Sequence, residues 1–281
     1  MLPWWAWLLG AVGAIGIALA AWHFGSLIRP VNRMIRAASK GRTDKVRRYL
    51  ESGIGVDAPG SLGSTALFAA VGYKRTGTAL FLLERGANPN QAALGLPVLT
   101  IAVGDRLVEV VAELLSRGAD PNVPGWRLSG PPLHTAIDRD SPEMVRLLAG
   151  AGADLEAVAH TGFTPLLSAL GRTGGGRRGA PDREAAFEVV RALLEAGASP
   201  SNPGRTAFTP MLLAIQMGSR EAVETLLDHG ASPLDRSPDG ILPHTFAEAA
   251  GQPELARLLR ERAGPALAEF DLEGEWQGGG R

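Results

Sequence analysis

The chain repeats itself, and that repetition limits its fold more than any other feature. Leu50, Leu83, Leu115, Leu148, Leu194, Leu227 and Leu259 each close an apolar stretch, at spacings of 33, 32, 33, 46, 33 and 32 residues. The residue before each is Tyr49, Leu82, Leu114, Leu147, Leu193, Leu226 or Leu258. Four before stand Val46, Ala79, Val111, Met144, Val190, Val223 and Leu255. Apolar side chains at these offsets lie on one face of a helix, so the pattern predicts one buried helical stripe repeated seven times. A chain built this way stacks small units on their neighbours instead of wrapping one central core.

Helix ends repeat as well. Gly53, Gly86, Gly118, Gly197 and Gly230 fall three residues after the leucine, and Gly152 falls four after it. Glycine there can take the left-handed conformation that ends a helix. Asn88-Pro89-Asn90, Asp120-Pro121-Asn122, Ser199-Pro200 and Ser232-Pro233 follow, and such clusters turn the chain. A second, shorter helix is predicted to start at Thr65-Ala66-Leu67, Pro97-Val98-Leu99, Pro132-Leu133-His134, Thr164-Pro165-Leu166 and Thr209-Pro210-Met211. Threonine suits the cap, and proline the first helical position.

These stretches resemble the ankyrin repeat. The likeness is carried by Pro132-Leu133-His134-Thr135-Ala136, by Thr164-Pro165-Leu166, and by the runs Leu82 to Asn90 and Leu114 to Asn122 with their Leu-Leu pair and Gly-Ala-Asn/Asp-Pro-Asn turn. Leu242-Pro243-His244 matches the helix start only loosely, and Gly53 is followed by Ile54. Both lie in terminal repeats, where one face meets solvent. The resemblance implies an all-α ankyrin-repeat solenoid of about seven helix-turn-helix units across 34–264. It also implies that His134 hydrogen-bonds between neighbouring repeats.

Residues 2–28 form an almost unbroken apolar run, with Trp4, Trp5 and Trp7 at one end and Trp22 at the other. Its length and its indoles predict a transmembrane helix over 1–28. The stretch 29–48 follows with a net charge of +7 and overlaps the first repeat helices. That excess places the following side in the cytoplasm, giving a single-pass inner-membrane protein with a cytoplasmic repeat domain. Arginine outnumbers lysine 25 to 3, which suggests GC-rich coding and a bacterial source. The 46-residue spacing marks an insertion at 171–183, glycine-rich and basic, read as a flexible loop. Residues 265–281 form an acidic tail, read as disordered.

Composition narrows the chemistry. With no cysteine there is no disulfide, thiolate metal site or cysteine nucleophile. The five histidines are scattered over different units without metal-ligand spacing, and Gly174-Gly175-Gly176-Arg177-Arg178 lacks the Gly-Lys-Ser/Thr of a phosphate loop. No catalytic residue, metal or cofactor is expected, nor a small-molecule substrate. The 233 residues after Arg48 carry a net charge of -8, which argues against a nucleic-acid partner. The expected function is non-catalytic binding of a partner protein at the membrane, through the concave face that the resemblance implies. Trp126 and Arg127 combine large rigid area with a forked donor, the chemistry of interface hot spots. His160, Arg205 and Arg236 occupy similar tip or pre-helix positions. A periplasmic repeat protein that sequesters an envelope protein or toxin is the alternative.

Overall fold

The computed structural model describes residues 29–124, 130–174, 183–202, 204–206 and 208–267. Among them, seven first helices alternate with seven second helices. The first helices are α1 (29–39), α3 (Ala66–Gly72), α5 (Val98–Gly104), α7 (Pro132–Asp138), α9 (Pro165–Thr173), α11 (Pro210–Gln216) and α13 (Pro243–Ala249). The second helices are α2 (Thr43–Glu51), α4 (Thr76–Glu84), α6 (Val108–Ser116), α8 (Pro142–Gly150), α10 (Arg183–Glu195), α12 (Arg220–Asp228) and α14 (Pro253–Ala263). Helices this short are marginal alone, so packing must hold them.

The chain groups into two compact units, one up to Ala119 and one from Asp120. In the first, α3 packs on α5, and α4 packs on both α2 and α6. Its core is built from Val46, Leu67, Leu82, Leu83, Val110 and Leu114. In the second, α9 packs on α7 and α11, α10 on α8, and α11 on α13. Its core holds Leu133, Met144, Leu166, Phe187, Val223 and Leu226. Burial of each such side chain contributes about 1.5–3 kcal/mol, and repetition of the stripe sums these terms along the stack.

Capping follows the sequence. Thr65, Thr164 and Thr209 accept hydrogen bonds from the backbone N–H of Phe68, Leu167 and Leu212. Gly53, Gly86, Gly118, Gly152, Gly197 and Gly230 all have positive φ, as helix-ending glycines require. Two of the seven stripes, however, sit one residue away from the register read from leucines. In α8 the buried set is Met144, Val145 and Leu148, which matches Val110, Val111 and Leu114 of α6. In α14 the buried Leu255, Ala256 and Leu259 match Ala222, Val223 and Leu226 of α12. Adjacent apolar pairs, such as Leu147 and Leu148, satisfy either register in sequence, and only burial separates them.

The two ends of the insertion are helical. Gly171, Arg172 and Thr173 belong to α9, which has 9 residues where α11 has 7. Arg183 opens α10, which has 13 residues where α12 has 9. Residues 175–182 lie outside the described residues, as do 268–281 of the acidic tail and the predicted membrane segment 1–28. Among the described residues, no helix is long and apolar enough to cross a membrane. The predicted all-α class gains one small exception, a strand pair β1 (Ala92–Ala93) and β2 (Leu96–Pro97), antiparallel with Ala93 opposite Leu96.

Candidate interaction surface

Among the described residues, the turns after the second helices and the hairpins beyond them carry the polar chemistry. In the first unit, the Asp57 carboxylate accepts from the Asn88 backbone N–H at 3.1 and 3.2 Å and from the Gln91 side-chain amide. Gln91 in turn accepts from the Thr65 hydroxyl. Asn90 donates its side-chain amide to the Gly118 carbonyl at 2.9 Å.

The second unit repeats the device. Asn122 donates to the Gly152 carbonyl at 3.1 Å and accepts from the Asp154 N–H at 2.8 Å. Glu156 accepts from the Ser199 N–H at 2.7 Å and the Asn202 amide at 2.6 Å. Ser201 donates to Asp235 at 2.6 Å. The turn residues therefore do more than stop helices. Their side chains tie each turn to the next, satisfying backbone groups that turns leave open. The Glu156 tie holds although the insertion separates its ends by 43 and 46 residues.

Hairpins lie beyond these ties. Ala159 N–H donates to Phe163 at 3.0 Å, and Arg205 N–H donates to the Gly162 carbonyl at 2.9 Å, joining two neighbouring hairpins. His160 and Arg205 are exposed there, so the structure brings these two expected contact residues onto adjoining hairpins. Arg236 is exposed one hairpin further, but its Nη1 donates to the Gly240 carbonyl at 2.9 Å, so part of its donor fork serves its own turn. Trp126 and Arg127 lie outside the described residues. Phe163 is half-buried, whereas Phe208 is exposed.

His134 is buried in α7, and the Phe163 backbone of the following repeat lies against its ring. Burial pushes its pKa below the ordinary value, and the Phe163 backbone and Asp138 oppose that only in part. A Cβ on Gly130 would stand 2.7 Å from the ring, so glycine lets the chain pass directly over it. His244, in the loosely matching repeat, is buried at the second position of α13, where α7 has Leu133. The loose match still starts a regular helix at Pro243.

The family models for ankyrin repeats match residues 34–124, as three copies, and 208–238, as a single repeat. A crystal structure of an ankyrin repeat domain from Acinetobacter baumannii AYE matches with a TM-score of 0.64 and 28% identity, over 71% of this chain and 98% of its own. The chain is an ankyrin-repeat protein. The ankyrin repeat domain of human ASB11 shares the fold at a TM-score of 0.57 and 23% identity, over 83% of this chain and 98% of its own. No curated protein matches it. Outside the matched segments, α7 with α8 and α9 with α10 form the same helix pairs. Among the described residues of this ankyrin-repeat chain, no group of three or more His, Asp or Glu side chains is placed to hold a metal ion.

Sequence reasoning missed the exposed apolar residues of the first unit. Leu62, Leu94 and Tyr73 are 79%, 66% and 64% exposed. A signal was present: Leu-Gly occurs at 62–63 and again at 94–95, just ahead of a first helix each time.

Proposed function

We propose that this ankyrin-repeat protein is a non-catalytic scaffold that holds a partner protein at the inner membrane, with its repeats in the cytoplasm. One observation carries the binding role. Turn side chains such as Asn122 and Glu156 are used up in joining repeats, whereas hairpin residues such as His160 and Arg205 are exposed beside them. Division of labour of that kind leaves the tips available for contact. Ankyrin repeats are in general protein-interaction modules, which agrees with this reading. The tether is supported by the apolar run 2–28 and the basic stretch 29–48. Anchoring would raise the partner's local concentration without any new contact.

The test has two arms. A reporter fused after Gly264 that works only in the cytoplasm should be active, and the chain should sediment with membranes. Affinity capture from those membranes should return one protein at a fixed ratio. Replacing Trp126, Arg127, His160 and Arg205 together with Ala should lose that protein and leave the helical circular-dichroism signal intact. A silent reporter defeats the cytoplasmic placement, and capture unchanged by the four substitutions defeats the proposed contact surface.

A further inference from the structure

In the first unit, a groove of about 680 Å³ runs between α1 and α3, closed at one end by the hairpin at 61–64. Ile35, Phe68 and Tyr73 give it apolar walls, and Ser61, Ser64 and Arg36 supply polar groups. No carboxylate lines it. That volume suits a few side chains of an extended segment.

Two further observations bear on what could lie there. The first is charge. Arg29, Arg33 and Arg36 recur at helical spacing on α1, so they share one stripe, and all three are exposed. Among the described residues none of them makes an ion pair, although α1 carries no acid to oppose them. Several arginines further along the chain are paired: Arg117 with Glu113, Arg172 with Asp140, Arg191 with Glu221 and Arg262 with Asp228. Like charges on one helical stripe repel, so this one costs stability until an anion covers it.

The second is strain. Leu62 and Leu94 have φ of 60° and 55° and are each followed by a glycine of positive φ. The left-handed region suits Gly, Asn or Asp, and a leucine there is unfavourable. Both leucines face solvent, so no burial within the chain offsets the cost. Leu62 stands between the groove residues Ser61 and Ser64, and Leu94 occupies the same place in the next hairpin. Strain kept at an exposed apolar residue points to contact with something outside the chain.

We infer that this groove and its leucine tips take a short acidic segment of a partner protein, one carrying apolar side chains among its carboxylates. The arginine stripe meets the carboxylates, and the leucines with Tyr73 meet the apolar groups. An anionic lipid surface would take the arginines and the leucine tips but could not enter the groove between α1 and α3. The inference rests on the scaffold reading above and assigns the chemistry of its partner.

The probe is a short fluorescent peptide rich in Glu with a pair of leucines, titrated against the full chain in neutral detergent. Its counterpart with Lys in place of Glu is the control. The acidic peptide should bind on the order of ten-fold tighter than the control, and less tightly as salt is raised. Leu62→Asn with Leu94→Asn should weaken it on the order of ten-fold, without lowering Tm, because Asn tolerates the left-handed backbone. Arg33→Glu with Arg36→Glu should abolish the preference. Equal binding of both peptides, or affinity unchanged by the Asn variants, overturns the inference. So does binding to phosphatidylserine vesicles with none to the peptide, which would assign the arginines to a membrane. A partner still captured by the full chain in the preceding experiment would leave the scaffold reading standing while this inference fell.

Discussion

Arg172 grips Asp140 with two parallel hydrogen bonds, Nε to Oδ1 at 2.7 Å and Nη2 to Oδ2 at 2.6 Å. The pair joins the end of α9 to the left-handed turn after α7, where Asp140 has φ of 48°. The Asp140 hydrogen bond raises the guanidinium pKa further, so Arg172 keeps its charge. A forked, half-buried pair is stronger than a typical surface bridge. Arg172→Met should cost about 1–2 kcal/mol in chemical denaturation. A double-mutant cycle with Asp140→Ala should return a coupling energy well above that of the exposed pair Arg257–Glu261.

Stability should depend on pH through His134. Its folded pKa lies below the ordinary 6.5, chiefly because it is buried, so in the interval between the two values the unfolded chain binds the extra proton. The stabilising effect of the neutral ring is present above that interval and is lost as pH falls through it. Asp138 and His160 are the titratable neighbours, acting in opposite directions. Tm should therefore drop between about pH 7.5 and about pH 5.5. His134→Leu should flatten that slope, since leucine already fills the equivalent buried place as Leu167 and Leu212.

Gly204 should not tolerate a side chain. Its φ is 62°, and an added Cβ would stand 2.6 Å from the Gly162 carbonyl oxygen of the neighbouring hairpin. Backbone cannot yield as a flexible side chain does. Gly204→Ala should cost about 1–3 kcal/mol and raise hydrogen exchange at the Arg205 amide. Wild-type exchange at that amide would contradict the backbone tie between the two hairpins.

Lys74 presents the opposite case. It has φ of 57° in the turn between α3 and α4, where Gly41, Gly218 and Gly251 take φ of 63–70° in the matching turns. Its ion pair with Asp105 at 2.9 Å is largely exposed and contributes little. Lys74→Gly should raise stability by up to about 1 kcal/mol, read as a higher denaturation midpoint. A lower midpoint would mean that the Asp105 pair outweighs the backbone strain.

Some of the surface was legible from residue type and position. His160 and Arg205 could be placed at hairpin tips because helix starts fix where each hairpin must lie. The exposure of Leu62 and Leu94 was not read, because an isolated leucine in sequence is ordinarily core. The Leu-Gly pairs ahead of α3 and α5 are the hint in sequence, and the exposure itself emerges only in the structure. The partners of Asn122 and Glu156 were equally hidden, since they lie 30 or more residues away along the chain.

The period of about 33 residues, the capping threonines and the helix-ending glycines were set by sequence alone. Helix formation, capping and chain reversal depend on neighbours within a few residues, and those are written side by side. Tertiary packing decided the rest: the true register of α8 and α14, the extension of α9 and α10 into the insertion, and the burial of the His134 ring against the next repeat. It also decided which arginines are neutralised and which stand open. Those outcomes depend on what a side chain meets across space, and identity at one position carries no record of that.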